Sequence, residues 1–209
     1  DSLGIEKLQK YASLFGLNER TGIEIEEAAP QIANEFPVMA AIGQSNNNYT
    51  TVQLARYVTA VANEGTVYQY TLLNRLEDSD GNVLQTFEPQ VRNQIDVLDT
   101  EEWNAIHSGM RMVVENTKEF DGFPIEAAGK TGTAQQNLKR PNHALFVGYA
   151  PYDDPEISIA TRIAYGYTSH NAAKLARNVF AYYFNVENED ELLNGQAANG
   201  NSSSNEISD

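Results

Sequence analysis

The chain has no cysteine. That excludes disulfides and thiolate metal sites, and fits a bacterial surface protein as well as a cytosolic one. Basic residues are scarce, with 14 Lys and Arg against 29 Asp and Glu and a formal net charge of -15. A bulk-acidic protein is a poor partner for nucleic acid or anionic lipid, because the phosphate-driven term is repulsive. No apolar run approaches the length of a membrane span, and no signal peptide is visible. An initiator Met is missing as well, so the start at Asp1 reads as a boundary or a cleavage point. The three histidines, at 107, 143 and 170, are scattered without a carboxylate cluster. This argues against a metal site, and no cofactor is expected.

What is present supports a core. The hydrophobic fraction is 41% over 209 residues, enough for one domain or one large piece of a bigger one. Residues 1–15 repeat Ile5, Leu8, Ala12 and Phe15 at helical spacing, with Asp1 or Ser2 to cap and Gly16 to stop. A turn at 17–22 precedes a short extended Ile23–Ile25, and 26–48 reads as mostly irregular. Thr50 or Thr51 caps a second helix with Leu54, Tyr57, Val58, Val61 and Ala62 on one face and Gly65 at C′. Val67 to Glu77, a turn at Asp78–Gly81 and Val83 to Phe87 predict a β-hairpin. Thr100 with Glu101 and Glu102 opens a third helix, whose apolar face is Trp103, Ile106, Met110, Val113 and Val114. His107 falls on its polar flank.

Three strands follow, through residues 129–135, from His143 to Ala150, and from Glu156 with Ile157, Ile159, Thr161, Ile163 and Tyr165 alternating. Ser169 caps a last helix with Ala172, Leu175, Ala176, Val179, Phe180 and Tyr183 on one stripe. Residues 185–209 turn acidic and then Asn/Ser/Gly-rich, which predicts a disordered tail. The fold class is α+β, an antiparallel sheet flanked by helices.

The most informative stretch is Gly129-Lys130-Thr131-Gly132-Thr133-Ala134-Gln135. It brings a cation, short hydroxyls and two glycines together, a composition suited to an anionic ligand lying close to the backbone. Lys-Thr-Gly is one of three motifs of penicillin-binding proteins and serine β-lactamases, although chance alone supplies it in roughly a few per cent of chains this long.

With its neighbours, this stretch resembles the transpeptidase domain of class B penicillin-binding proteins. The Thr133-Ala134-Gln135 continuation and the strand His143-Ala144-Leu145-Phe146-Val147-Gly148-Tyr149-Ala150-Pro151 carry the likeness. So do Ala41-Ile42-Gly43-Gln44 and the helix from Thr51 to Thr66. The opening helix with Thr21-Gly22-Ile23 looks most like the elongation-type branch. The family's nucleophile motif, Ser-x-x-Lys, is absent. The lysines at 7, 10, 118, 130, 139 and 174 are preceded three residues earlier by Gly4, Lys7, Glu115, Ala127, Gln136 and Asn171. Ser-x-Asn occurs at Ser45, Ser169 and Ser203, and only Ser45 merits weighing. Residues 1–184 are therefore expected to be the C-terminal part of a partial transpeptidase fold, inactive alone.

The resemblance implies a serine acyl-enzyme that cross-links peptidoglycan stem peptides ending in D-Ala-D-Ala and is acylated by β-lactams. It assigns Lys130 to an electropositive wall, and the Thr131 and Thr133 hydroxyls to the substrate carboxylate. The Thr133 backbone N–H would be half of the oxyanion hole, and Gly132 would keep the strand clear for the ligand. It also implies the missing N-terminal part and other wall-synthesis proteins as partners, and an anchor on the outer face of the cytoplasmic membrane. A β-lactam sensor, a serine β-lactamase and a non-catalytic module of the same fold are the alternatives.

Overall fold

The chain, seen as a computed structural model that describes residues 4–188 and residue 192, begins with helix α1, Gly4–Leu14. The expected caps Asp1 and Ser2 and nearly all of the expected tail lie outside the described residues. Gly16 ends α1 as its sequence predicts. At φ 74 its N–H reaches Ser13 O at 3.0 Å, and the N–H of Leu17 reaches Ala12 O at 3.0 Å. This paired stop satisfies the last carbonyls of the helix. The Ile23–Ile25 segment bends instead of extending, because Glu24 turns to accept the Leu72 N–H at 2.8 Å. Residues 26–48 are mostly irregular, apart from one helical turn, α2 (Pro37–Ala40), and an isolated bridge between Gln31 and Asn48.

Helix α3, Thr51–Ala62, opens on a capping box: Thr50 Oγ1 accepts from Gln53 N, and Gln53 Oε1 accepts from Thr50 N at 2.8 Å. It stops one residue earlier than expected. Glu64, at φ 50, takes the left-handed C′ place, and Gly65 is C″, donating to Ala60 O at 2.8 Å. Glycine is required at 65 for space as well, since a Cβ there would lie 2.6 Å from Ile95 O.

The expected hairpin is two nested ribbons. Strand β1 (Thr66–Gln69) pairs with β4 (Gln90–Gln94), and within them β2 (Arg75–Glu77) pairs with β3 (Val83–Thr86). The polar strand β4, Gln-Val-Arg-Asn-Gln, is invisible to a reading by apolar alternation. Helix α4, Thr100–Glu115, is capped by Asp99 through a reciprocal bond with Glu102, so Thr100 is its first full residue.

Strands β5 (Ala128–Ala134), β6 (His143–Ala150) and β7 (Ile157–Ile163) form an antiparallel sheet in the order expected. Helix α5, Ser169–Tyr183, closes the chain, capped by Thr168 rather than Ser169. Its buried stripe is Ala172, Ala173, Ala176, Phe180 and Ala181, while Leu175, Val179 and Tyr183 are exposed. Small side chains let α5 lie close to the sheet, where Thr161 Oγ1 donates to Ala172 O at 3.0 Å. One face of the sheet buries Ala144, Phe146 and Ala150 under α5 and Phe120. The other face packs Ala128, Val147 and Tyr149 against Val58 of α3 and Met110 of α4. No helix among the described residues is long and apolar enough to cross a membrane.

Candidate active site

Strand β5 is an edge strand. Strand β6 pairs along one side, and no other described strand meets the other. Its register is continuous: Gly129 opposite Gly148, Lys130 opposite Val147, Thr131 opposite Phe146, Gly132 opposite Leu145 and Thr133 opposite Ala144. Since neighbouring residues alternate between faces, Lys130 and Gly132 share the α3/α4 face with Val147 and Tyr149. Thr131 and Thr133 share the α5 face with Phe146. The four residues singled out by sequence thus lie on two faces and share only the open edge.

Two glycines hold that register. A Cβ on Gly129 would overlap the Phe146 ring, and one on Gly148 would lie 2.6 Å from Ala128 O and 2.7 Å from the same ring. Phe146 fills the slot they leave and stacks on Phe120 at 5.7 Å between centroids. This locking of β5 onto β6 is not marked in the sequence, where Gly129 reads only as part of a motif. Gly132 differs. A Cβ there would meet nothing closer than Leu145 Cβ at 3.4 Å, ordinary contact, and its backbone is not left-handed. The fold leaves room for a side chain at 132, and the sequence leaves the place bare.

Lys130 is exposed, and its Nζ donates to the carbonyl of Thr131 at 2.9 Å. No described carboxylate forms an ion pair with it, although acids outnumber bases twofold in the chain. An ammonium folded onto an edge carbonyl leaves its remaining donors to solvent or to a ligand. Thr133 is exposed and Thr131 half-buried.

The start of β5 is anchored from α4. Arg111 donates to Ala127 O at 3.1 Å and pairs with Glu115 and Glu126 at 3.4 and 3.3 Å. His107 is on the buried side of α4 and not on its polar flank. Its Nε2 lies 2.8 Å from Val61 O, and its ring packs between Trp103 and Tyr149. It occupies the place expected for Ile106, which is exposed. Tyr149 is fully buried, and burial pushes its phenol pKa up.

Ser45 is absorbed into a loop. At φ 78, its Oγ donates to Glu35 O at 2.5 Å, while the Asn47 side chain accepts from Ala33 N at 2.7 Å and from Tyr49 OH at 2.8 Å. His170 Nδ1 lies 2.8 Å from Thr168 Oγ1, and no cluster of three or more potential metal ligands exists among the described residues.

The family model for the penicillin binding protein transpeptidase domain matches residues 1–181. The chain belongs to that family. It is 32% identical, over 88% of its length, to the peptidoglycan D,D-transpeptidase MrdA of Haemophilus influenzae, of which it covers 33%. It is 26% identical, over 86% of its length, to penicillin-binding protein 2B of Streptococcus pneumoniae, covering 29% of that protein. The solved structure of penicillin-binding protein 2B from S. pneumoniae strain R6 superposes with a TM-score of 0.76 over 88% of this chain, at 25% identity, covering 33% of that structure. Penicillin-binding protein A of Mycobacterium tuberculosis, solved as an imipenem acyl-enzyme, has a TM-score of 0.76 over 86% of this chain and 42% of that one, at 22% identity, and speaks for the fold alone. The transpeptidase domain seen here is of the class B kind, and it spans about a third of the curated relatives it matches.

Proposed function

We propose that residues 1–184 are the C-terminal portion of a peptidoglycan D,D-transpeptidase domain and supply one wall of its active site. A serine from a Ser-x-x-Lys segment that these 209 residues do not contain attacks the carbonyl of the penultimate D-alanine. The peptide C–N bond breaks, D-alanine leaves with a proton on its nitrogen, and an acyl ester remains. An amine from a second stem peptide then attacks the ester, and the serine regains its proton. β-Lactams open on the same serine.

In this reading the Lys130 ammonium draws the substrate carboxylate, and the hydroxyls of Thr131 and Thr133 bind it. The N–H of Thr133 donates to the oxyanion, a contribution that grows only as charge develops in the transition state. The stem peptide lies along the open edge of β5 as an added strand. The observation that carries this reading is Gly132, left bare at the edge although the fold has room for a side chain. The substrate, the other wall-synthesis partners and an anchor holding the site outside the cytoplasmic membrane belong to the same proposal. The 209 residues alone are expected to be inactive.

The test is to read the coding sequence upstream of Asp1 for Ser-x-x-Lys and Ser-x-Asn, and then to label the assembled protein with a fluorescent penicillin. Labelling is expected to fall at least tenfold in Lys130→Ala, about 1.4 kcal/mol of transition-state stabilisation. Unchanged labelling refutes the role of Lys130. Rapid, complete penicillin hydrolysis favours a β-lactamase instead.

A further inference from the structure

At the far end of the Lys130 strand sits a histidine that the proposed chemistry does not use. His143 opens β6 opposite Ala134, the last residue of β5, and is only 6% exposed. Its Nδ1 accepts the backbone N–H of Tyr165 at 3.1 Å. That nitrogen therefore carries no proton, and the neutral ring carries its proton on Nε2. Nε2–H donates to Gln136 Oε1 at 2.9 Å.

The ring thus joins two segments that leave the sheet. Gln136 lies two residues beyond β5, and Tyr165 lies two residues beyond β7. Tyr165 is held at φ 55, a region that a bulky residue adopts only under restraint.

The surroundings oppose a second proton. Arg162 of β7 places Nη2 3.2 Å from the same Nε2. A guanidinium has no acceptor, so two donors face each other there. From the β5–β6 loop, Arg140 donates to Tyr165 OH at 2.6 Å and lies 5.3 Å from that ring, which itself stands 5.0 Å from the imidazole. No described carboxylate is in hydrogen-bond contact with His143. Burial first, and Arg162 second, hold its pKa below the ordinary 6.5.

We propose that His143 is a positioning residue for the Lys130–Thr133 strand: neutral, it ties the exit of β5 to the turn after β7, and protonation releases the tie. Its bearing on catalysis rests on the reading of Thr133 as an oxyanion donor. A proton on Nδ1 would face the Tyr165 N–H with a second donor, and the imidazolium would stand against Arg162. The first pushes the Tyr165 N–H away from the ring while Nε2–H keeps its bond to Gln136 Oε1, so the exit of β5 loses its link to the turn after β7.

The test is an NMR pH titration of the full 209-residue chain. His143 is expected to titrate below 6.5, and the amides of Tyr165, Gln136, Ala134 and Thr133 to follow with the same midpoint. Amide exchange at Ala134, corrected for its intrinsic pH dependence, should rise about fivefold below that midpoint, as expected for one lost hydrogen bond. His143→Asn, whose Oδ1 can accept from Tyr165, should keep slow exchange at every pH. His143→Phe should show fast exchange throughout. Thr133 and Ala134 signals that stay flat through the His143 midpoint overturn the proposal, as does wild-type exchange in His143→Phe. None of these readouts needs acylation, so failure of the Lys130 labelling test would leave this result standing, and the reverse holds too.

Discussion

Gly129 and Gly132 stand three residues apart on one strand, and the structure gives them opposite reasons to be glycine. Neither has a left-handed backbone, so alanine at either position is allowed locally. In Gly129→Ala the new Cβ overlaps the Phe146 ring and comes within 2.8 Å of Val147 O. The ring is fully buried and stacked on Phe120, so it cannot swing away, and the carbonyl belongs to the neighbouring strand. Overpacking of this kind costs about 1–3 kcal/mol. In Gly132→Ala the nearest atom is Leu145 Cβ at 3.4 Å, and losing a flexible glycine from a strand returns about 0.5–1 kcal/mol. Trp103 is the only tryptophan and is 3% exposed, so its fluorescence reports unfolding. With a urea slope of about 2 kcal/mol/M, the midpoint should fall by about 0.5–1.5 M in Gly129→Ala and hold or rise slightly in Gly132→Ala. A fall in Gly132→Ala as large as in Gly129→Ala would show that Gly132 serves packing, and the main support for an external ligand at that edge would be gone.

Two further perturbations probe the frame around the site. Arg56 is 1% exposed and donates to the carbonyls of Gly16, Glu19 and Arg20; Arg56→Met removes three bonds, leaves Gly16 O only its bond from Glu19 N and Glu19 O only its bond from Gln53, costs about 3 kcal/mol, and should strip hydrogen-exchange protection from α1 first, whereas retained protection there would contradict the bridging role. Glu19 has its pKa held below 4.5 mainly by the hydrogen bond from Arg92, against some desolvation. Its ionised form therefore stabilises the fold above about pH 4.5, and that contribution is lost as pH falls through the depressed value. Urea midpoints between pH 3 and 6 should depend less steeply on pH in Arg92→Ala than in the wild type, and identical acid limbs would count against the pairing.

Most of the frame was legible because its signals are local. Gly16, Thr50, the apolar run of β6 and the alternation of β7 each dictate backbone through their own chemistry, and the structure agrees. What was missed depends on partners distant in sequence. Strand β4 is polar and exists because β1 offers it a ladder. Glu64 takes the left-handed place one residue before Gly65, whose own position is set by the close approach of Ile95. His107 lies inward, where its ring meets Val61 O at the end of α3 and packs between Trp103 and Tyr149. Arg162 meets His143 on the neighbouring strand, a contact no local pattern marks. For the candidate site, composition singled out one strand, but only the register separates Lys130 and Gly132 from Thr131 and Thr133, and only the packing separates the glycine that locks from the glycine left bare.

Charge sharpens the case for an anionic ligand at this edge. A net charge of -15 would repel a carboxylate from most of the surface. At physiological salt that field decays over about 8 Å, so the nearest charges decide. Lys130 has no described acidic partner, and Arg140 and Arg162 have none either; their contacts are Tyr165 and His143. Strand rise places the His143 end about 13 Å from Lys130, beyond one screening length. In the proposed reading, Lys130 therefore acts on a ligand's carboxylate without help from other cations, at short range and through hydrogen bonds that the Thr131 and Thr133 hydroxyls share across the edge. The cations at the His143 end are too far to substitute for it. This is why Lys130→Ala is expected to cost labelling in full, with no compensation from the neighbouring arginines.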